Sequence, residues 1–173
     1  MFNPGSVRVA IEAGYVRKQV HPTEPLAILN YTDRAAYEGA WDEVTLTCRG
    51  LIYHTDTLAV VARPFRKFMN YGQAGAPAVA LDEPAVVTDK ADGSLGVLHQ
   101  LPSGGWAIAT RGSFSSSQAE HATAVYRDRY ARRFVPALGT TYLFEILYPA
   151  NRVVLDYGDL DDLILLGAVD IAT

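Results

Sequence analysis

An α+β fold built on antiparallel sheet is what this sequence predicts, and three observations predict it. Short strand-like runs recur along the chain, few stretches have helical periodicity, and hairpin-type turns join several of the strand-like runs. With 173 residues, 49% hydrophobic and 20% charged, the chain can fill one good core, so residues 1–173 are expected to form a single domain.

Taken in order, Val7–Val20 reads as an amphipathic helix, with Val7, Ile11, Tyr15 and Val16 on one side. His21-Pro22-Thr23-Glu24-Pro25 stops it, because proline lacks a donor and restricts the residue before it. Leu26–Tyr31 reads as a strand and Thr32–Tyr37 as a helical turn capped by Thr32 or Asp33. Strands are expected at Val44–His54 and Leu58–Ala62 around the turn Thr55-Asp56-Thr57. Phe65–Tyr71 mixes cations with aromatics, Gly72–Pro77 is a loop, and Ala85–Val87 leads into a polar segment around Lys90. Gly96–Leu101 and Trp106–Arg111 form a hairpin about Pro102-Ser103-Gly104-Gly105. Ser115–Phe134 is the strongest helix, with Ser116 or Ser117 as cap and Ala119, Ala122, Val125 and Tyr126 as its apolar side. Strands at Thr141–Leu147, Arg152–Leu155 and Leu163–Val169 complete the expected set.

Composition narrows the function. No apolar run behind a basic start marks a secretory segment, and no apolar stretch is long enough to span a bilayer. A single cysteine, Cys48, excludes an internal disulfide framework and fits a reducing, cytoplasmic setting. A net charge of −4 argues against a protein that coats nucleic acid non-specifically, while leaving room for a local basic groove.

The chemistry centres on Lys90, one of only three lysines among 15 cationic residues, in Thr88-Asp89-Lys90-Ala91-Asp92-Gly93-Ser94. An amine can act as a nucleophile once it loses its proton, which arginine does not do near neutral pH. Bringing a lysine from a pKa of about 10.4 to about 7.5 takes about 4 kcal/mol, supplied by desolvation and neighbouring positive charge. Gly93 would let the backbone approach a nucleotide where a Cβ would collide. Lys90-Ala91-Asp92-Gly93-Ser94 alone fits a solvated Asp-Gly turn equally well.

Glu145 is the second unusual residue. In a strand, Leu143, Glu145 and Leu147 point one way and Tyr142, Phe144 and Ile146 the other, so both faces are apolar. A carboxylate there needs a partner, either a bound ligand or one of the arginines. Arg49 and Lys67, read alone, are surface cations. Arg127, Arg129, Arg132 and Arg133 suit the negative end of the long helix, with an RNA-backbone contact as the sharper alternative.

Other signals are weak. Asp156–Asp162 lacks the glutamate an EF-hand needs and reads as an acidic turn. The four histidines lack metal-ligand spacing with each other or with Cys48, and Cys48 itself suits a core position. No P-loop motif is present.

Six blocks follow one another in order: Cys48-Arg49-Gly50-Leu51-Ile52-Tyr53, Arg63-Pro64-Phe65-Arg66-Lys67-Phe68-Met69-Asn70, the Lys90 segment, Thr110-Arg111-Gly112-Ser113-Phe114, Tyr142–Leu147, and Pro149–Tyr157. Together, from about Leu26 to about Val169, they resemble the ATP-dependent RNA ligases of the T-even phage tRNA-repair type, in the covalent nucleotidyltransferase superfamily. The resemblance implies a nucleotidyltransferase (ATP-grasp-like ligase) fold, ATP as AMP donor and Mg²⁺ as metal, with the metal ligands unassigned. It implies that Lys90 becomes lysyl-AMP, and that the AMP passes to an RNA 5′-phosphate which a 3′-hydroxyl then seals. It also implies that Arg49 and Lys67 hold the triphosphate and that Gly93 closes the nucleotide turn. Arg111 then matches a cationic position after the motif, and Glu145 contacts the ribose. The expected partner is RNA with such ends, tRNA among the candidates.

The chain departs from the family in several places. Met69 and Leu29 replace aromatic residues, and the only Glu-Gly pair, Glu38-Gly39, lies upstream of Lys90. No lysine follows Lys90, so the family's Lys-x-Lys strand has no counterpart. These gaps, with the end at Thr173, lead to the expectation of a C-terminally truncated ligase that a further segment or a complementing chain would complete. The rival expectations are a capping-type transferase using GTP and a non-catalytic nucleotide- or RNA-binding remnant.

Overall fold

The strand Leu26–Tyr31 is buried at every position, so it must be covered on both faces, and the layers of the fold follow from that. The computed structural model describes residues 2–80, 82, 84 and 86–172. In chain order its elements are α1 (Pro4–Glu12), β1 (Val16–Val20), β2 (Leu26–Tyr31), α2 (Asp33–Glu38), α3 (Glu43–Thr47), β3 (Arg49–His54) and β4 (Val60–Ala62). They continue with β5 (Ser94–Gln100), β6 (Trp106–Thr110), α4 (Ser117–Val125), β7 (Thr140–Leu147) and β8 (Asp162–Asp170). The strands form two four-stranded antiparallel sheets, in the orders β1-β2-β3-β4 and β6-β5-β7-β8. The α+β expectation with antiparallel sheets therefore holds.

Alternation along the strands builds three cores. Leu26, Ile28, Ile52 and Ala62 of the first sheet meet Val97, Ala109 and Leu143 of the second, forming the layer between the sheets. Ala27, Leu29 and Leu51 face the other way, onto Val7 and Ala10 of α1 and onto Cys48. Leu98, Ile108, Phe144 and Ile146 pack against Ala122 and Val125 of α4. At the sheet edge, the Thr123 hydroxyl of α4 accepts from the Ile108 amide at 2.9 Å and donates to its carbonyl at 3.2 Å, occupying backbone groups of edge strand β6.

Several boundaries differ from expectation, each for a local reason. The Val7–Val20 helix is only α1; at Gly14 the chain adopts φ +78°, and Val16–Val20 turn back to pair with β2. Tyr15 and Val16 thus leave the helical face assigned to them. The strand expected over Val44–His54 begins at Arg49, because Asp42 and Thr45 form a capping box that starts α3. Leu58, with φ +61°, precedes the shortened β4. The long helix is capped by Ser116 as expected, but passes at Tyr126 into a π-helical turn ending at Tyr130. Arg152–Leu155 forms no strand: the Val154 and Leu155 amides donate to the Asp92 carboxylate instead of to a neighbouring strand.

The Asp156–Asp162 turn is acidic as expected, and its charges are held locally. Asp156 pairs with Arg152, and Asp161 with His121 and Arg129. Cys48 is buried, and that burial pushes its thiol up to about 12, which suits core and not nucleophile. Among the described residues no helix is long and apolar enough to cross a membrane. Ala85, in the stretch expected to lead into the Lys90 segment, and Thr173 lie outside the described residues.

The layered core sets a stability test. Leu143→Ala, at a fully buried position between the sheets, should cost about 2–5 kcal/mol in denaturant unfolding. Ile164→Ala, on the exposed face of β8, should cost under about 1 kcal/mol. Equal losses would contradict the layer assignment.

Candidate functional site

A cavity of about 880 Å³ opens where the two sheets meet, and charged residues from both reach it. From the first sheet come Arg17 of β1 and Arg49 of β3. The second contributes Glu145 of β7, Thr110 at the end of β6 and Arg111 just beyond it. The segment Thr88–Ala91, with Gly93, forms one wall. Phe65, Phe68, Leu95 and Leu166 add apolar surface. Lys90 is exposed to this space rather than packed away.

The Lys90 segment is anchored at its C-terminal side by a set of hydrogen bonds. The Gly93 amide donates to Glu145 Oε1 at 2.8 Å. Asp92 Oδ2 accepts from the Val154 and Leu155 amides at 2.7 and 2.8 Å, and the Tyr157 hydroxyl accepts from the Asp92 amide at 2.9 Å. The Ser94 hydroxyl donates to Asn151 Oδ1 at 3.1 Å, while Asn151 Nδ2 donates to the Ile146 carbonyl at 2.9 Å. The aspartate of Lys-x-Asp-Gly therefore serves as a clamp on the Asn151–Tyr157 segment. Those backbone donors hold its carboxyl below the ordinary aspartate range.

Gly93 is required by the protein itself. A Cβ there would lie 2.3 Å from the Ile146 carbonyl oxygen and 2.6 Å from Leu147 Cδ2. The collision expected with a nucleotide is thus already present with β7, and it fixes how closely the Lys90 segment joins the sheet.

Glu145 is half-buried, and burial pushes its carboxyl above the ordinary glutamate range, against the Gly93 amide and the charges of Lys90 and Arg49. Among the described residues it forms no ion pair, so an arginine, the alternative partner that the sequence allows, is not the one it takes. Arg49 carries the opposite strain. Burial, assisted by nearby Arg111, pulls its guanidinium below its ordinary value, and among the described residues its buried Nη1 has no hydrogen-bond acceptor. Arg49 Cζ sits 5.6 Å from the Phe68 ring centre, and Arg111 Cζ sits 5.3 Å from that of Tyr31. Arg111 Nη1 also donates to the Tyr31 hydroxyl at 3.3 Å.

Five of the six candidate residues, Arg49, Lys90, Gly93, Arg111 and Glu145, thus line one cavity. Lys67 does not. Its ammonium donates to the Phe68 carbonyl, approaches Met69 Sδ at 3.4 Å and lies 5.6 Å from the Trp41 ring centre. Its neighbours Phe68 and Asn70 face the cavity instead. Sequence reasoning misses Arg17, because the spacing around it also fits a helix; the alternation of a strand paired with β2 is the signal that exposes it. Asp89 also lines the cavity. Among the described residues no cluster of three or more His, Cys, Asp or Glu could cage a metal.

Two variants test this geometry. Gly93→Ala should lower the melting temperature, and the loss should include the Gly93–Glu145 link; an unchanged melting temperature would contradict the close approach. Glu145→Gln keeps an acceptor for Gly93 and removes the disfavoured charge. The carboxyl stabilises the fold fully below its unfolded pKa near 4.5, and that contribution is lost as pH rises through its raised folded value. Melting curves should therefore show the Gln variant gaining on the parent between pH 4 and pH 8, about these bounds; a gap independent of pH would contradict it.

A family model described as RNA ligase, of the T4 type, matches residues 47–173, well over half of the chain and the span holding all six candidates. No curated protein gives a significant match. The ordered motifs, the cavity they share and this match agree: the chain belongs to the T4-type RNA ligase family.

Proposed function

We propose that this protein is an ATP-dependent RNA ligase that works through a lysyl-AMP on Lys90. The observation that carries the reading is the convergence of Lys90, Arg49, Arg111 and Glu145 on one cavity. Two guanidinium groups on one cavity suit phosphate oxygens, which accept charge-assisted hydrogen bonds from them.

In the first step the neutral Lys90 Nζ attacks the α-phosphorus of ATP. A nitrogen–phosphorus bond forms, the bond to the β-phosphate oxygen breaks, pyrophosphate leaves, and the lysine proton passes to solvent. Arg49 and Arg111 stand where they can offset charge gathering on the departing oxygens. The apolar side of the cavity, with Phe65, Phe68, Leu95 and Leu166, suits a base, and Glu145 suits ribose hydroxyls. An RNA 5′-phosphate oxygen then attacks the adenylate phosphorus and frees Lys90. A 3′-hydroxyl finally attacks the activated 5′-phosphorus and releases AMP.

Magnesium fits as an ion carried in by the nucleotide. It is commonly held by one or two carboxylates with substrate phosphates, and Asp89 and Glu145 are the carboxylates on this cavity. When bound it neutralises phosphate charge. Lys67, directed to Trp41, would reach the triphosphate only by changing rotamer, so the phosphate-binding role rests on the arginines.

Intact mass after incubation with ATP and Mg²⁺ tests the reading. The parent should gain one AMP, and Lys90→Ala and Lys90→Arg should gain none. A folded parent without adduct, or an adduct that survives both substitutions, would overturn it.

A further inference from the structure

The arginine-rich end of the long helix has a structure that its helix-capping reading does not explain. Of Arg127, Arg129, Arg132 and Arg133, only Arg129 is neutralised, through Asp161 and Asp162. Among the described residues the other three form no ion pair, and no side-chain hydrogen bond ties them to the helix-end carbonyls. All three are exposed, and Asp128 is the only acid in the stretch from Tyr126 to Phe134. In a chain of net charge −4, this is a concentrated positive surface.

One of these cations, Arg127, lines a cleft, and Arg132 and Arg133 are exposed between Ala131 and Phe134, which line it too. A cavity of about 360 Å³ is lined by Trp106, Tyr126, Phe134 and Arg127, together with Gly104 and Gly105 of the hairpin. The π-helical turn Tyr126–Tyr130 passes beside it, inserting an extra residue per turn where the arginines leave the helix. The Tyr126 hydroxyl donates to the Phe134 carbonyl at 3.3 Å, holding the cleft's far wall. Trp106 opens β6, and Thr110 at its other end lines the Lys90 cavity, about 13 Å along the strand.

We propose that this cleft is a second RNA-binding site, with Arg127, Arg132 and Arg133 on the phosphates and the Trp106 edge of the cleft available to a base. Charge complementarity selects a polyanion, and aromatic surface beside free guanidinium groups is the combination that holds single-stranded nucleic acid. The site would grip the RNA away from the end being joined. It rests on RNA as the substrate class and not on the lysyl-AMP step.

Fluorescence anisotropy with 5′-phosphorylated single-stranded RNAs of about 4 and about 16 nucleotides, across a salt series, tests it. The parent should prefer the longer RNA. The triple variant R127Q/R132Q/R133Q should lose that preference and show a log–log salt slope shallower by about 2, at about 0.7 per phosphate contact. The triple lysine variant should retain most of the slope. An unchanged slope in a folded glutamine variant would overturn the proposal, as would arginine-dependent binding to anionic vesicles with no such effect on RNA. AMP adduct formation on the same variants reads the Lys90 chemistry separately, so failure of one reading is distinguishable from failure of the other.

Discussion

The hydrogen bond from the Gly93 amide to the Glu145 carboxylate is the contact on which the site depends. It ties the Lys90 segment to the centre of the second sheet at the point where β5 begins, with Ser94 opposite Ile146. The bond can form only because residue 93 has no side chain, since any Cβ would meet the β7 backbone. From that junction the rest follows. Asp92 clamps the segment around Val154 and Leu155, Asn151 bridges Ser94 and Ile146, and Lys90 is exposed on the cavity.

The cavity keeps charges in a state the fold alone does not favour. Burial raises the Glu145 carboxyl and lowers the Arg49 guanidinium from their ordinary values, so the charged form of each is disfavoured there. Arg49 and Arg111 sit together against their mutual repulsion, accompanied by the rings of Phe68 and Tyr31. Such an arrangement costs stability in the empty protein and is relieved by a polyanion. Perturbed groups of opposite sign in one cleft are a mark of function rather than of structural ion pairing.

Much of this is legible in the sequence. Glu145 stands out because both faces of its strand are apolar, and Lys90 stands out by composition alone, placed as it is among so few lysines. The hairpin, the β2 strand and the Ser116 cap are legible because alternation and capping are local. What is not legible depends on distant partners. Residues 16–20 have an apolar spacing that also fits a helix, and only pairing with β2 makes them a strand and brings Arg17 to the cavity. Arg152–Leu155 has strand composition, yet Asp92, far upstream in the chain, takes its amides. Lys67 and Arg49 look equivalent as cations, but Trp41 draws one aside while burial fixes the other.

The proposed ligand of the cavity where the two sheets meet is a nucleoside triphosphate. Calorimetric titration of ATP and Mg²⁺ into Lys90→Ala protein isolates that claim from covalent chemistry. One-to-one binding is expected, weakening at least about tenfold, about 1.4 kcal/mol, when Arg49→Ala is added. Absence of binding in the folded protein, or binding indifferent to Arg49, would contradict it.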